Sequence, residues 1–190
     1  VGLLALAWLC LLISAAKPVV VGEPTGLKQT GRDMFLAVDL SGSMRRDDMQ
    51  LNGQNVDRLT VVKSVVDSFI EHRQGDRLGL IVFGSQAFIQ SPLSFDLQTV
   101  QTLLHEAQIG FAGDQTAIGS AIGMAIKRLN ENPKSQRVVI LLTDGSNNSG
   151  EIDPIKAAQL AKQESVVIYT IGIGSTDPRG GFFVIVAKSR

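Results

Sequence analysis

The sequence predicts an α/β fold: a doubly wound, mostly parallel sheet of the Rossmann-like type, with helices on both faces and one antiparallel edge strand. Strand-like and helix-like segments alternate along the chain, which is typical of this class. Three predicted strands, at residues 33–40, 137–143 and 166–173, are apolar without alternation, as strands buried on both faces are. The two observations together favour a sheet that helices cover on either side.

Four helices are predicted between these strands. The segments at residues 58–73 and 116–129 carry apolar residues at helical spacing, and a third helix is assigned to residues 96–107. Asp153 is a favourable N-cap, and the proline after it suits the first turn, so a fourth helix is predicted to run to residue 164.

A hairpin is predicted beside the buried strands. The apolar run at residues 77–83 is followed by a Gly-Ser-Gln turn and by a short strand at residues 87–90, the predicted antiparallel edge. Near the C-terminus, eight residues separate Gly174 from the apolar segment at residues 183–186, fewer than the dozen or so that a parallel crossover needs. We therefore expect residues 175–190 to be a tail, in a chain that stops before its last helix and strand or ends in foreign sequence.

The N-terminal segment differs from the rest of the chain. Residues 1–16 are nearly all apolar and uncharged, and residues 17–32 contain the glycines and prolines of a linker. Sixteen helical residues span roughly 24 Å, less than the ~30 Å of a bilayer core. The segment is interpreted as a truncated transmembrane helix, with a signal-peptide core and a buried soluble helix as alternatives. Residues 33–174 are predicted to form the domain.

The composition argues against several function classes. With 18 basic and 18 acidic residues, the chain has no general attraction for nucleic acid or for an anionic membrane. Aromatic residues make up only 5%, which leaves little material for base stacking. Cys10 is the single cysteine, so no disulfide forms within the chain. His72 and His105 have no second His or Cys at ligand spacing and are assigned to the surface.

Oxygen-bearing side chains follow two of the apolar strands. Asp39, Ser41 and Ser43 belong to the sequence DLSGS, where one turn after the first strand presents three oxygens. Thr116 follows a glycine-containing loop, and Asp144 comes directly after another apolar strand. Ligands of doubly wound sheets bind outside the carboxyl ends of strands, near a switch in strand order. We expect the two strands to be neighbours and the three loops to converge.

This donor set suits a hard divalent cation. Hydroxyl, carboxylate and water oxygens bind Mg²⁺, Mn²⁺ or Ca²⁺ in preference to softer metals such as Zn²⁺ or copper. Hydroxyl ligands neutralise none of the ion's charge, so an ion held mainly by hydroxyls retains affinity for a further anion. The pattern predicts one open position, to be filled by a carboxylate from another molecule. Ordinary turn and capping roles for the same residues are the alternative.

The set resembles a known site. The sequence DLSGS at residues 39–43, Thr116 and the Asp-Gly pair at residues 144–145 are similar, in order, to the metal-ion-dependent adhesion site (MIDAS) of von Willebrand factor type A (VWA) domains. The resemblance covers about residues 33–174. It implies two kinds of ligand: the hydroxyls of Ser41, Ser43 and Thr116, and the carboxylates of Asp39 and Asp144, which often act through water.

A narrower likeness is to bacterial membrane proteins of the BatA/BatB aerotolerance type. It rests on five segments, at residues 31–33, 56–63, 75–80, 116–119 and 169–174. Those proteins place such a domain beside hydrophobic segments. The likeness implies a link to MoxR-type AAA+ ATPases or other Bat proteins, in stress tolerance or complex assembly at the bacterial inner membrane.

The leading hypothesis is a membrane-anchored, cation-dependent protein-interaction module that is not an enzyme. Its partner would supply an Asp or Glu carboxylate to the ion. A phosphotransferase with Asp39 as the nucleophile is one alternative, but Ser41 stands where such an enzyme would carry a second carboxylate, and no His base or Walker loop occurs. A metal-free structural module is the other alternative, and the complete five-residue set argues against it.

Overall fold

A computed structural model describes residues 2–16, 31–51, 53–131, 135–175 and 182–189. The strands within these ranges are β1 (Arg32–Asp39), β2 (Met49–Leu51), β3 (Gln54–Val56), β4 (Arg77–Phe83), β5 (Ala87–Ser94), β6 (Gln136–Thr143), β7 (Val166–Ser175) and β8 (Phe182–Ser189). The α-helices are α1 (Gly2–Ala16), α2 (Arg58–Glu71), α3 (Leu97–Glu106), α4 (Ile118–Leu129) and α5 (Pro154–Gln163). A 3₁₀ turn at Gly42–Arg45 follows β1.

The main sheet has the strand order β5-β4-β1-β6-β7-β8, and β2 pairs with β3 in a separate small hairpin. Strands β4, β1, β6 and β7 are parallel, while β5 pairs with β4 in the antiparallel sense. The predicted fold class, a doubly wound and mostly parallel sheet with an antiparallel edge, is therefore confirmed. The edge strand extends to Ser94, beyond the predicted residues 87–90.

The expected C-terminal tail contains a strand. Strand β8 pairs with β7 in the antiparallel sense, with Gly174 opposite Phe183. A connection too short for a parallel crossover still permits a return in the opposite direction, so the length argument excluded only the parallel arrangement. The sheet consequently has an antiparallel strand at each edge, one more than the sequence predicted.

The side chains of β1 alternate between two apolar cores. Met34, Leu36 and Val38 pack with residues of α2 and α3 on one face of the sheet. Phe35 and Ala37 pack with residues of α4 and α5 on the other. Because both faces are covered, the strand shows a continuous apolar run instead of an alternating one. The buried central strand is thus a rigid support for the loop that follows it.

The four predicted domain helices are present, with boundaries shifted by a few residues. Asp153 caps α5 as predicted, since its carboxylate accepts hydrogen bonds from the backbone N–H groups of Ile155 and Lys156 at 2.9 and 3.1 Å. Helix α4 starts at Ile118, two residues later than predicted. Its first N–H donates to Oδ1 of Asn147 at 2.8 Å, so Asn147 supplies the capping oxygen considered for Thr116.

The apolar N-terminal segment is helical in α1, and its leucines and Trp8 are exposed where the structure describes their side chains. No helix among the described residues has the length and apolar character that crossing a bilayer requires. The linker predicted at residues 17–32 lies largely outside the described residues.

Two glycines of α4 offer a matched test of the packing between α4 and the segment before α5. A Cβ on Gly119 would lie 1.9 Å from the backbone oxygen of Ile152, whereas a Cβ on Gly123 would meet only Cδ1 of that residue, at 3.1 Å. Alanine is otherwise favoured over glycine inside a helix by ~1 kcal/mol. We expect Gly119→Ala to lower the free energy of unfolding by about 1–3 kcal/mol. Gly123→Ala is expected to leave it unchanged or raise it.

Urea denaturation followed by circular dichroism measures both variants. Equal free energies of unfolding for the two would show that the backbone approach at Gly119 does not limit the packing.

Candidate metal centre

The sequence-predicted ligands lie at the carboxyl edge of the sheet, where the strand order switches. Strands β1 and β6 are parallel neighbours, as expected, with Val38 opposite Leu142. The chain continues from β1 to β4 on one side and returns later to β6 on the other. Asp39, the last residue of β1, and Asp144, the residue after β6, therefore stand at adjacent strand ends. This is the position at which doubly wound sheets bind ligands.

Hydrogen bonds between hydroxyls and a carboxylate join the two strand ends. The Oγ atoms of Ser41 and Ser43 are 2.9 Å apart. The Ser43 hydroxyl donates to Oδ1 of Asp144 at 2.6 Å. Ser41 and the Asp144 side chain are fully buried. Three predicted ligands thus lie in one continuous polar cluster.

Asp39 is held by donors and shielded from solvent. Its Oδ1 accepts from the backbone N–H of Ser41 at 2.9 Å, and its Oδ2 accepts from the hydroxyl of Thr143 at 2.6 Å. Burial raises the pKa of Asp39, against the opposing effect of these hydrogen bonds, and the nearby charge of Asp144 adds to the rise. A desolvated carboxylate beside a second one would be stabilised by a nearby cation.

Thr116 is positioned by the segment that follows β6. Its N–H donates to Oδ1 of Asn148 at 2.7 Å, and its carbonyl accepts from the N–H groups of Asn148 and Ser149 at 3.0 and 3.2 Å. Its Oγ1 is 3.8 Å from where a Cβ on Gly145 would stand. The Thr116 hydroxyl therefore lies against the turn that carries Asp144.

Backbone hydrogen bonds tie the loop before α4 to the first motif. The N–H of Gly110 donates to the carbonyl of Leu40 at 2.7 Å, and the N–H of Gly42 donates to the carbonyl of Asp114 at 3.1 Å. The three loops expected to converge do so, and backbone contacts fix their relative positions.

Arg58 is a site residue that the sequence did not single out. It is 6% exposed at the first position of α2, and its Nη1 lies 2.5 Å from Oδ2 of Asp144. Its Nε and Nη2 also donate to the two carboxylate oxygens of Asp48, at 2.9 and 2.5 Å. The Arg58 fork lowers the pKa of Asp48, and the two carboxylates, Asp48 foremost, raise the pKa of Arg58.

The only sequence signal for Arg58 is its place in the segment at residues 56–63, one of those that resemble BatA/BatB proteins. Thr143, which orients Asp39, was likewise predicted only as the end of a strand. Both act through side-chain contacts made between distant parts of the chain.

The donor set fits a hard cation. Its members are three hydroxyls and two carboxylates, one of which is already paired with an arginine. Within the part of the chain that the structure describes, no group of three or more His, Cys, Asp or Glu side chains is placed to hold a metal. Oxygen donors of this kind prefer Mg²⁺, Mn²⁺ or Ca²⁺.

Fold and site together define a doubly wound α/β domain with a hydroxyl-rich oxygen cluster at its strand-order switch. The family model of the von Willebrand factor type A domain matches residues 33–189, and the chain belongs to this family. Members of the family are in general interaction modules and not enzymes.

Three solved structures illustrate the likeness. A membrane-spanning protein from Vibrio fischeri is 45% identical, with a TM-score of 0.52 over 84% of this chain and 80% of its own. An aerotolerance-related membrane protein from Bacteroides fragilis is 25% identical, with a TM-score of 0.66 over 84% and 82%. Proximal thread matrix protein 1 from the mussel byssus, with a zinc-occupied MIDAS motif, is 26% identical, with a TM-score of 0.63 over 77% and 37%. The chain spans half or less of the length of the curated relatives it matches.

Proposed function

We propose that the protein is a divalent-cation-dependent interaction module and not an enzyme. Five residues would bind the ion: Asp39, Ser41, Ser43, Thr116 and Asp144. The observation that carries the proposal is the hydrogen bond of 2.6 Å from Ser43 Oγ to Asp144 Oδ1, because it brings together donors 101 positions apart in the chain. The zinc-occupied MIDAS of the mussel relative supports a divalent ion at this edge of the fold. Mg²⁺ is the ion we favour, with Mn²⁺ or Ca²⁺ as substitutes, since every donor is an oxygen.

The partner would complete the coordination with an Asp or Glu carboxylate. The negative charge of Asp144 is partly balanced by Arg58, and the hydroxyl donors carry no negative charge. An ion bound here would therefore keep a strong attraction for one more anion. A nucleophilic role for Asp39 is disfavoured because it is fully buried and both its oxygens already accept hydrogen bonds.

We further propose that the protein works at the bacterial inner membrane, in a Bat/MoxR-type system for stress tolerance or complex assembly. The apolar residues 1–16 would provide the membrane contact, and a MoxR-type AAA+ ATPase or another Bat protein would be the partner. The membrane-spanning relative from Vibrio fischeri and the aerotolerance-related membrane protein from Bacteroides fragilis support this setting.

Isothermal titration with Mg²⁺, Mn²⁺ and Ca²⁺ tests the cation site. We expect one ion per chain, and we expect binding to be lost in Asp39→Ala. Asp47→Ala is the matched control, because Asp47 is an exposed carboxylate in the same loop region that the proposal does not use. Absence of binding by the folded protein, or equal binding by Asp39→Ala, would falsify the proposal. Recovery of the same membrane proteins with EDTA as with Mg²⁺ would instead favour a metal-free structural module.

A further inference from the structure

Two exposed phenylalanines contact each other beside the candidate metal centre. Phe88 on β5 is 42% exposed, and Phe111 in the loop before α4 is 63% exposed. Their ring centroids are 6.2 Å apart with an interplanar angle of 65°, an edge-to-face arrangement. Single exposed apolar residues are common on protein surfaces, whereas aromatic residues are enriched at protein–protein interfaces.

The aromatic pair, Phe88 and Phe111, lies at the same edge of the sheet as the proposed ligands. Asp39 is opposite Phe83 in the β1–β4 register, and Phe83 is opposite Ala87 in the β4–β5 register. Since neighbouring strands are about 4.8 Å apart, Ala87 is roughly 10 Å from Asp39 across the sheet. Phe88 is the next residue of β5.

The loop that carries Phe111 is bound on both sides. On one side the N–H of Gly110 donates to the carbonyl of Leu40, the residue before Ser41, at 2.7 Å. On the other side the N–H of Gln86 donates to the carbonyl of Ala112 at 3.1 Å. The aromatic pair is therefore held in a fixed position relative to the metal centre.

We propose that the aromatic pair is the apolar half of a partner-binding surface whose polar half is the bound ion. The inference rests on the proposed function, because the partner reaches the surface through its carboxylate. The partner presents an acidic residue to the ion and a large apolar side chain to Phe88 and Phe111. At about 3.3 Å per residue, an extended segment covers the roughly 10 Å between Asp39 and Ala87 in three residues. The fitting ligand is an extended peptide with Asp or Glu and an aromatic or large aliphatic residue about three positions away.

The chemistry of the surrounding loops favours an apolar contact at this place. The neighbouring polar side chains Ser85, Gln86, Gln108 and Gln115 are uncharged, and the one acidic side chain of this loop is Asp114, whose Oδ1 is 3.5 Å from where a Cβ on Gly42 would stand. Rigid aromatic side chains supply much of the binding energy at protein interfaces. Truncation of Phe88 or Phe111 should therefore lower the affinity for a partner with an apolar side chain by roughly ten- to a hundredfold.

Phe95 is a natural control for this surface. It is 51% exposed, comparable with the aromatic pair, but it follows Ser94, which is opposite Leu78 near the start of β4. It therefore lies toward the other end of the sheet from the metal centre. Phe95→Ala removes the same side chain without touching the proposed surface.

Selection from a displayed peptide library tests the inference with the full chain in Mg²⁺. The library has a fixed Asp flanked by random positions, and a second library has Asn in place of Asp. We expect the wild-type protein and Phe95→Ala to enrich Asp peptides with an aromatic or large aliphatic residue two to four positions from the Asp. Phe88→Ala and Phe111→Ala should lose that apolar preference while still requiring Asp and Mg²⁺.

The outcomes separate the two proposals. The inference would be overturned if the wild-type protein selected Asp peptides without an apolar preference, or if the apolar preference survived in both phenylalanine variants. Either result would leave the proposed cation-dependent function standing. Selection independent of Asp or of Mg²⁺ would count against the proposed function itself. Failure of a protein that binds Mg²⁺ to select any peptide would overturn the surface as a whole. Mg²⁺ titration of every variant establishes that it is folded.

Discussion

Replacement of Arg58 by methionine is expected to lower the free energy of unfolding of the metal-free protein by about 3–5 kcal/mol. Arg58 is buried between the carboxylates of Asp144 and Asp48. Its removal leaves the fully buried side chain of Asp144 without a cation, and such an uncompensated charge is strongly destabilising. Saturating Mg²⁺ should restore a large part of the loss, because the ion replaces the missing positive charge and binds only the folded state.

Urea denaturation in EDTA and in Mg²⁺ measures this rescue. Arg77→Met provides the control, because Arg77 forms a similar forked pair with the buried carboxylate of Asp33, at 2.7 and 2.5 Å. That pair joins the starts of β1 and β4, at the opposite end of the sheet from the metal centre. Its loss should destabilise the protein equally with and without Mg²⁺. If Mg²⁺ does not reduce the loss of unfolding free energy in Arg58→Met, Arg58 does not balance the charge of a metal ligand.

The second large effect is expected for Thr143→Val, which should weaken Mg²⁺ binding by about tenfold to a hundredfold without removing a proposed ligand. The buried Thr143 hydroxyl donates to Oδ2 of Asp39 and accepts from the N–H of Gly145 at 3.2 Å. Valine has nearly the same shape but can make neither bond. One oxygen of Asp39 then loses its donor, and the carboxylate is less well oriented toward the ion.

Isothermal titration compares Thr143→Val with Thr143→Ser, which keeps the hydroxyl and should bind Mg²⁺ nearly as the wild type does. Thr102→Val is a second control, because its hydroxyl bonds only to the carbonyl of Gln98 on the exposed part of α3. Wild-type affinity in Thr143→Val would show that Asp39 does not depend on this bond.

The parts of the site that the sequence predicted depend on local pattern and on sheet topology. The apolar runs before Asp39 and Asp144 indicate buried strands, and the carboxyl ends of parallel strands share one edge. Those two facts are sufficient to bring the two carboxylates together. Thr116 was singled out by its place after a glycine-containing loop and by the family resemblance, and the structure places it beside Gly145.

The contacts that the sequence did not predict are made by side chains whose partners are chosen by the tertiary fold. Arg58 lies 86 positions from Asp144, and its long side chain could reach many carboxylates from the start of a helix. Asn147 supplies the capping oxygen considered for Thr116, because the loop after β6 lies against the start of α4. Strand β8 was not predicted, because a short connection after β7 excludes a parallel partner but not the antiparallel one that the chain forms.

The parallel pairing of β1 with β6 also sets the order of events during synthesis. Residues of the two strands that lie opposite each other are 104 positions apart, as in Val38 and Leu142. Everything from α2 to α4 must leave the ribosome before β6 can join β1 and bring Asp144 to Ser43. A nascent chain that ends before β6 lacks Asp144, and its Thr116 lacks the hydrogen bonds with Asn148 and Ser149 that position it. A cation at this edge would therefore bind after the sheet has assembled, and would secure the finished domain without guiding its early folding.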